Sequence, residues 1–203
     1  MSDKQSEGQF FAPSENQRFS CDLRFNMTKK SFAAAYYYSA KLLVESVYLN
    51  CALSDTCGPP IAYLYRQFIE LMFKEIRRLQ TGISGKEELK GGHRIVEFWE
   101  EIKKDFDSDF IDQHKEYINV TDLCVTEFCT MDPKGDAFRY PEPIPKQNAS
   151  SNKRSNENST GTFRDQRSFD VVNLGTQMKA VEYFLCILMG RLEYEIEIAG
   201  PPD

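Results

Sequence analysis

Apolar residues recur at helical spacing along most of this chain, and the pattern is clearest in its last long segment. Steps of alternately four and three residues there form a heptad seam, which predicts a helix over residues 170–198. Other apolar residues fall off the seam, so two interpretations stay open: a core helix, or a helix that pairs with a second copy of the chain. The seam consists of Leu174, Met178, Val181, Leu185, Leu188 and Leu192.

The same periodicity predicts four earlier helices, over residues 29–50, 59–79, 93–106 and 108–131. Thr28 or Ser31 is expected to cap the first helix, and Ser108 the fourth. Residues 54–58 are predicted to be a loop, after which Pro59 opens the second helix. In the fourth segment the β-branched run at residues 118–121 leaves a short strand as the alternative.

These elements predict an all-α fold, namely an antiparallel four- or five-helix up-and-down bundle formed as a single domain by residues 29–198. A polar N-terminal extension, residues 1–28, precedes it, and a short tail, residues 199–203, follows. Residues 141–168 are rich in Ser, Asn, Lys, Arg and Pro, with few apolar positions. We predict that they form a long flexible loop before the last helix.

The composition of the chain argues against several classes of function. Hydrophobic residues make up 41% of the chain, enough for a core, and a net charge of -6 argues against broad electrostatic binding to nucleic acid. The six cysteines show no metal-binding spacing and there are only two histidines, so we expect no metal and no cofactor. We find neither a signal peptide nor about 18 uninterrupted apolar residues, so we expect a cytoplasmic protein that does not enter the membrane.

Three groups of polar residues are candidates for a ligand site. Arg66, Glu70 and Lys74 are four residues apart and share one face of the second helix, where they line a phosphate pocket or form an ion-pair ladder. His93 follows two glycines and precedes Arg94, so it is a weak catalytic candidate or a structural histidine. The third group lies around a predicted turn and comprises Asp132, Arg139 and Tyr140. In this group Arg139 binds a phosphate or forms an ion pair with a carboxylate.

In combination, these segments resemble the HEPN-like superfamily of small prokaryotic helical-bundle proteins. The matching parts are residues 65–74, Gly92-His93, Asp132 with residues 138–141, and the final helix over 171–192. The resemblance covers roughly residues 29–197. It implies a bundle that is often a homodimer and that serves prokaryotic defence or stress systems. Many members cleave RNA or bind nucleotides.

Catalytic members carry an arginine shortly before a histidine on the same helix, and this chain lacks that pair before either His93 or His114. We therefore predict a non-catalytic helical binding module, a homodimer that holds RNA, a nucleotide or a partner protein. Two alternatives stay open. One is an atypical ribonuclease that uses His93 with Arg94 or Arg139, and the other is a purely structural dimeric scaffold. Whether the protein is an enzyme is thus left open by the sequence.

Overall fold

The computed structural model describes residues 28–84, 94–133, 135, 137–139 and 168–199. Within these ranges the secondary structure is entirely helical, which confirms the predicted all-α bundle and rules out the strand considered for residues 118–121. Apart from Thr28, Ser168 and Ala199, the predicted extension, long loop and tail lie outside the described residues. The helices are α1 (Lys29–Tyr48), α2 (Ser54–Ser84), α3 (Ile95–Lys103), α4 (Ser108–Met131) and α5 (Val171–Ala199).

Side chains just before α1 and α4 fix the starts of these two helices. Thr28 caps α1, because its hydroxyl accepts a hydrogen bond from the amide of Ser31 at 3.1 Å. The prediction for α4 was wrong by one residue: Asp107, not Ser108, is its cap and accepts from the amide of Phe110 at 2.8 Å. A carboxylate adds a favourable charge at the positive end of the helix dipole, which a serine hydroxyl does not.

The second helix begins earlier than predicted. Residues 54–58 are helical rather than a loop, since the amides of Thr56 and Cys57 already bond to the carbonyl of Leu53 at 3.2 and 3.0 Å. Pro59 and Pro60 therefore lie inside the helix, not at its start. Each proline removes one amide donor, and the neighbouring hydrogen bonds carry the helix through this stretch.

The core is built around α2 and α5. The indole of Trp99 on α3 stacks on Phe73 of α2 with 5.4 Å between ring centroids, and Phe184 of α5 meets it edge-on at 6.3 Å. The indole nitrogen of Trp99 donates to Asp122 of α4 at 2.6 Å, so the ring also joins α3 to α4. Five of the six residues of the heptad seam, from Met178 to Leu192, are buried within the chain itself. The structure therefore uses this seam as core and does not leave it free for a second copy.

Alanine substitutions at two glycines of α5 are expected to change the free energy of unfolding in opposite directions. A Cβ atom on Gly175 would lie 2.9 Å from a methyl group of Val44 on α1, whereas a Cβ on Gly190 would meet nothing within 4 Å. We expect Gly175→Ala to lower the free energy of unfolding by about 1–2 kcal/mol, because overpacking outweighs the gain in helix propensity. We expect Gly190→Ala to raise it by about 0.5–1 kcal/mol. Urea denaturation followed by Trp99 fluorescence measures both, and a stabilising Gly175→Ala would contradict the close contact of α1 with α5.

Candidate functional site

A cluster of charged side chains lies around Arg66, whose side chain is 1% exposed. Its Nη1 donates to Oε2 of Glu70 at 3.0 Å, and its Nε lies 3.2 Å from Oδ2 of Asp132. On the outer side of the cluster, Nζ of Lys74 donates to Oε1 of Glu70 at 2.7 Å. The structure thus brings together four of the candidate residues, two cations and two carboxylates.

Local geometry at the end of α4 holds this cluster together. Asp132 ends α4, where its amide bonds to the carbonyl of Phe128 at 2.7 Å and its Oδ1 accepts from the amide of Ala137 at 3.0 Å. Gly135 has a φ of +81°, and a Cβ on it would lie 2.8–2.9 Å from the guanidinium of Arg66. Only glycine fits this approach, because a side chain would be strained and would clash with the arginine. The turn after α4 therefore packs directly against the side chain of Arg66.

The charges of this cluster cancel, and that decides what it can do. Both carboxylates already interact with the cations that a phosphate would need, and Arg66 is almost inaccessible to solvent. A buried ion pair of this kind fixes the register of the elements it joins more than it adds net stability. Of the two interpretations of the Arg66–Glu70–Lys74 ladder, the geometry favours the structural one.

Of the remaining candidates, the structure describes Arg94 and Arg139, and each has a contact away from the cluster. Arg94 is exposed at the start of α3 and pairs with Glu97 at 2.6 Å. Arg139 is also exposed, and its guanidinium carbon lies 5.8 Å from the centroid of the Tyr63 ring. His93 and Tyr140 lie outside the described residues, so the predicted pairing of His93 with Arg94 or Arg139 stays a prediction.

A surface groove of about 410 Å³, which the sequence did not indicate, runs between α4 and α5. We call it the α4–α5 groove. Its volume lies within the range of known ligand sites. Leu123 at its side is 60% exposed, while Cys124 and Phe128 beneath it are buried. Apolar side chains supply most of the lining, chiefly Leu123, Phe128, Met131, Phe138, Phe169 and Leu174.

The polar part of the groove is acidic or neutral. Glu127 lines it and forms no ion pair within the described residues, and no described lining residue is Lys or Arg. Asp170 also lines the groove, but its carboxylate caps α5 through the amides of Val172 and Asn173. Burial raises the pKa of the Cys124 thiol to about 12, so it is a neutral thiol and not a nucleophile. The groove therefore suits an apolar group accompanied by a positive charge.

The described residues offer no support for a metal site or for a helix that crosses a membrane. They contain no cluster of three or more His, Cys, Asp or Glu side chains placed to hold a metal ion. None of the helices described combines the length and the apolar character that a membrane crossing requires. Comparison with protein-family models, with curated proteins and with solved structures gave no match to this chain.

Proposed function

We propose that this protein is a non-catalytic helical binding module and that the α4–α5 groove holds a segment of a partner protein. The segment carries apolar side chains and at least one Lys or Arg. The observation that carries the proposal is the combination in one groove of a broad apolar lining with the carboxylate of Glu127, which forms no ion pair with any described residue. Apolar contacts supply most of the affinity in such grooves, and a charge pair at the edge supplies orientation.

A protein segment fits the described site better than RNA or a nucleotide does. Phosphate recognition needs basic side chains or free amides, and the described lining offers no basic side chain. The basic residues of the candidate cluster face carboxylates: Arg66 contacts Glu70 and Asp132, and Lys74 contacts Glu70. An anionic ligand there would have to displace these pairs.

Membership of the HEPN-like superfamily, and with it a role in prokaryotic defence or stress, stays a prediction based on the sequence motifs alone. The ribonuclease alternative requires His93 together with Arg94 or Arg139. For Arg94 it also requires release from Glu97, which it contacts at 2.6 Å. That ion pair is exposed to solvent and therefore weak, so its presence does not decide against the alternative.

A peptide selection tests the proposed function. We expect peptides selected from a random display library on the wild-type protein to combine apolar residues with Lys or Arg. For a selected peptide, fluorescence anisotropy is expected to give a dissociation constant raised about 30-fold or more by Leu123→Glu, which places a charge among the apolar contacts. Glu127→Gln is expected to raise it about 3–10-fold, since it removes the charge pair.

The matched control is Ile111→Glu, the same kind of change at an exposed position near the other end of α4. It should leave the dissociation constant within about twofold, as expected for a residue outside the contact. Equal binding to wild type and Leu123→Glu would show that the groove is not the binding site. Cleavage of a labelled RNA by the wild type, abolished by His93→Ala, would instead establish the ribonuclease alternative.

A further inference from the structure

Helix α1 exposes an apolar stripe on the side opposite to its buried face. Ala33, Tyr37 and Ala40 face the core, whereas Tyr38 and Leu42 are 56% and 64% exposed. The stripe runs from Ala35 through Tyr38, Leu42 and Glu45 to Leu49, at steps of three and four residues. We call it the α1 stripe. Such spacing keeps a seam on one face of a helix and is typical of helices that pair.

Two opposite charges lie at one edge of the α1 stripe. Lys41 and Glu45 are both exposed and four residues apart, yet neither forms an ion pair within the part of the chain that the structure describes. By contrast, Lys30 at the start of the same helix pairs with Glu193 of α5 at 2.8 Å. The middle of the stripe therefore carries one cation and one anion that no described residue pairs with.

We propose that the α1 stripe is the contact surface for a second copy of this chain, with the two α1 helices antiparallel. A two-fold axis near residue 43 places Lys41 of each copy beside Glu45 of the other, on the same edge of the interface. The same arrangement places Tyr38 against Leu49 of the second copy, which covers both side chains.

The charges select the antiparallel arrangement and a copy of this chain. A parallel pair in register places the charged edges of the two copies on opposite sides of the interface, so Lys41 of one copy cannot reach Glu45 of the other. The antiparallel pair forms two equivalent ion pairs instead. The contact spans about 21 Å along the helix axis, from Ala35 to Leu49, so it buries a small area and is among the smaller specific interfaces. We therefore expect a reversible dimer with a micromolar dissociation constant.

Charge exchange at two positions is the decisive test, with sedimentation equilibrium as the measurement. Lys41→Glu and Glu45→Lys are each expected to weaken the dimer about 10-fold or more, because each places like charges together at two symmetric sites. The double variant K41E/E45K restores opposite charges across the two-fold axis, so it is expected to regain the wild-type dissociation constant. A variant that simply unfolds cannot give this recovery.

Two further variants separate this surface from the α4–α5 groove. Leu42→Glu should yield a monomer, with its affinity for the selected groove peptide unchanged, while Leu123→Glu should leave the dimer intact. A wild type that is monomeric at concentrations up to about 1 mM would overturn the proposal. So would a double charge exchange that stays as weak as the single variants, because Lys41 and Glu45 would then not face each other across the two-fold axis.

Discussion

Arg66→Met is expected to lower the free energy of unfolding by about 3–5 kcal/mol, the cost of leaving buried charge without its partner. Methionine fills much of the volume but supplies no positive charge. Asp132, whose carboxylate is fully buried, then loses the cation at 3.2 Å, and Glu70 loses the cation at 3.0 Å. Urea denaturation monitored by Trp99 fluorescence measures the change, since this is the chain's one tryptophan and it is buried.

The matched control for this variant is Arg94→Met. Arg94 also pairs with a carboxylate on its own helix, but the side chains of Arg94 and Glu97 are 70% and 58% exposed. An exposed pair contributes about 0.5 kcal/mol or less, because water and salt screen it. If the two variants lose equal stability, Arg66 is not the centre of a buried cluster.

Phe184→Ala is expected to lower the free energy of unfolding by a similar amount, about 3–5 kcal/mol. Its ring is fully buried on α5, with centroids of Phe110 and Tyr117 on α4 at 6.1 and 6.2 Å and that of Trp99 on α3 at 6.3 Å. Truncation leaves a cavity where three helices meet. The same urea experiment measures the loss.

The control for Phe184→Ala is the preceding residue along the chain. Tyr183 is 53% exposed and contacts Tyr117 from the outer side, so Tyr183→Ala is expected to cost about 1 kcal/mol or less. A Phe184→Ala variant as stable as the wild type would mean that α5 does not pack at the centre of the bundle. The interpretation of the heptad seam as part of the core would then also be wrong.

The helices could be predicted from the sequence because their apolar spacing is regular, but the inner face of α1 could not. This helix is apolar almost all round, with Phe32 and Leu42 as regular in spacing as Ala33 and Ala40. Periodicity then gives the helix but not the side that is buried. The structure buries Ala33 and Ala40, because small side chains allow α1 to pack closely, and leaves Phe32 and Leu42 exposed.

The candidate site could likewise be predicted from the sequence only in part. The ion pairs of Glu70 with Arg66 and Lys74 follow from four-residue spacing on one helix, so a sequence pattern predicts them. The contact of Arg66 with Asp132 joins α2 to the end of α4, and spacing carries no information about it. The α4–α5 groove was missed for the same reason, since its lining comes from separate helices and from the turn beyond α4.

We propose that the buried charges around Arg66 hold the fold, whereas the α4–α5 groove binds the partner. Amide chemical-shift mapping by NMR, with a selected basic and apolar peptide added to the labelled protein, tests it most directly. We expect the largest shifts at residues 120–131 and 173–177, with Arg66 and Glu70 unchanged. Chemical-shift changes centred on Arg94 and Arg139, with no change at the groove residues, would contradict the account.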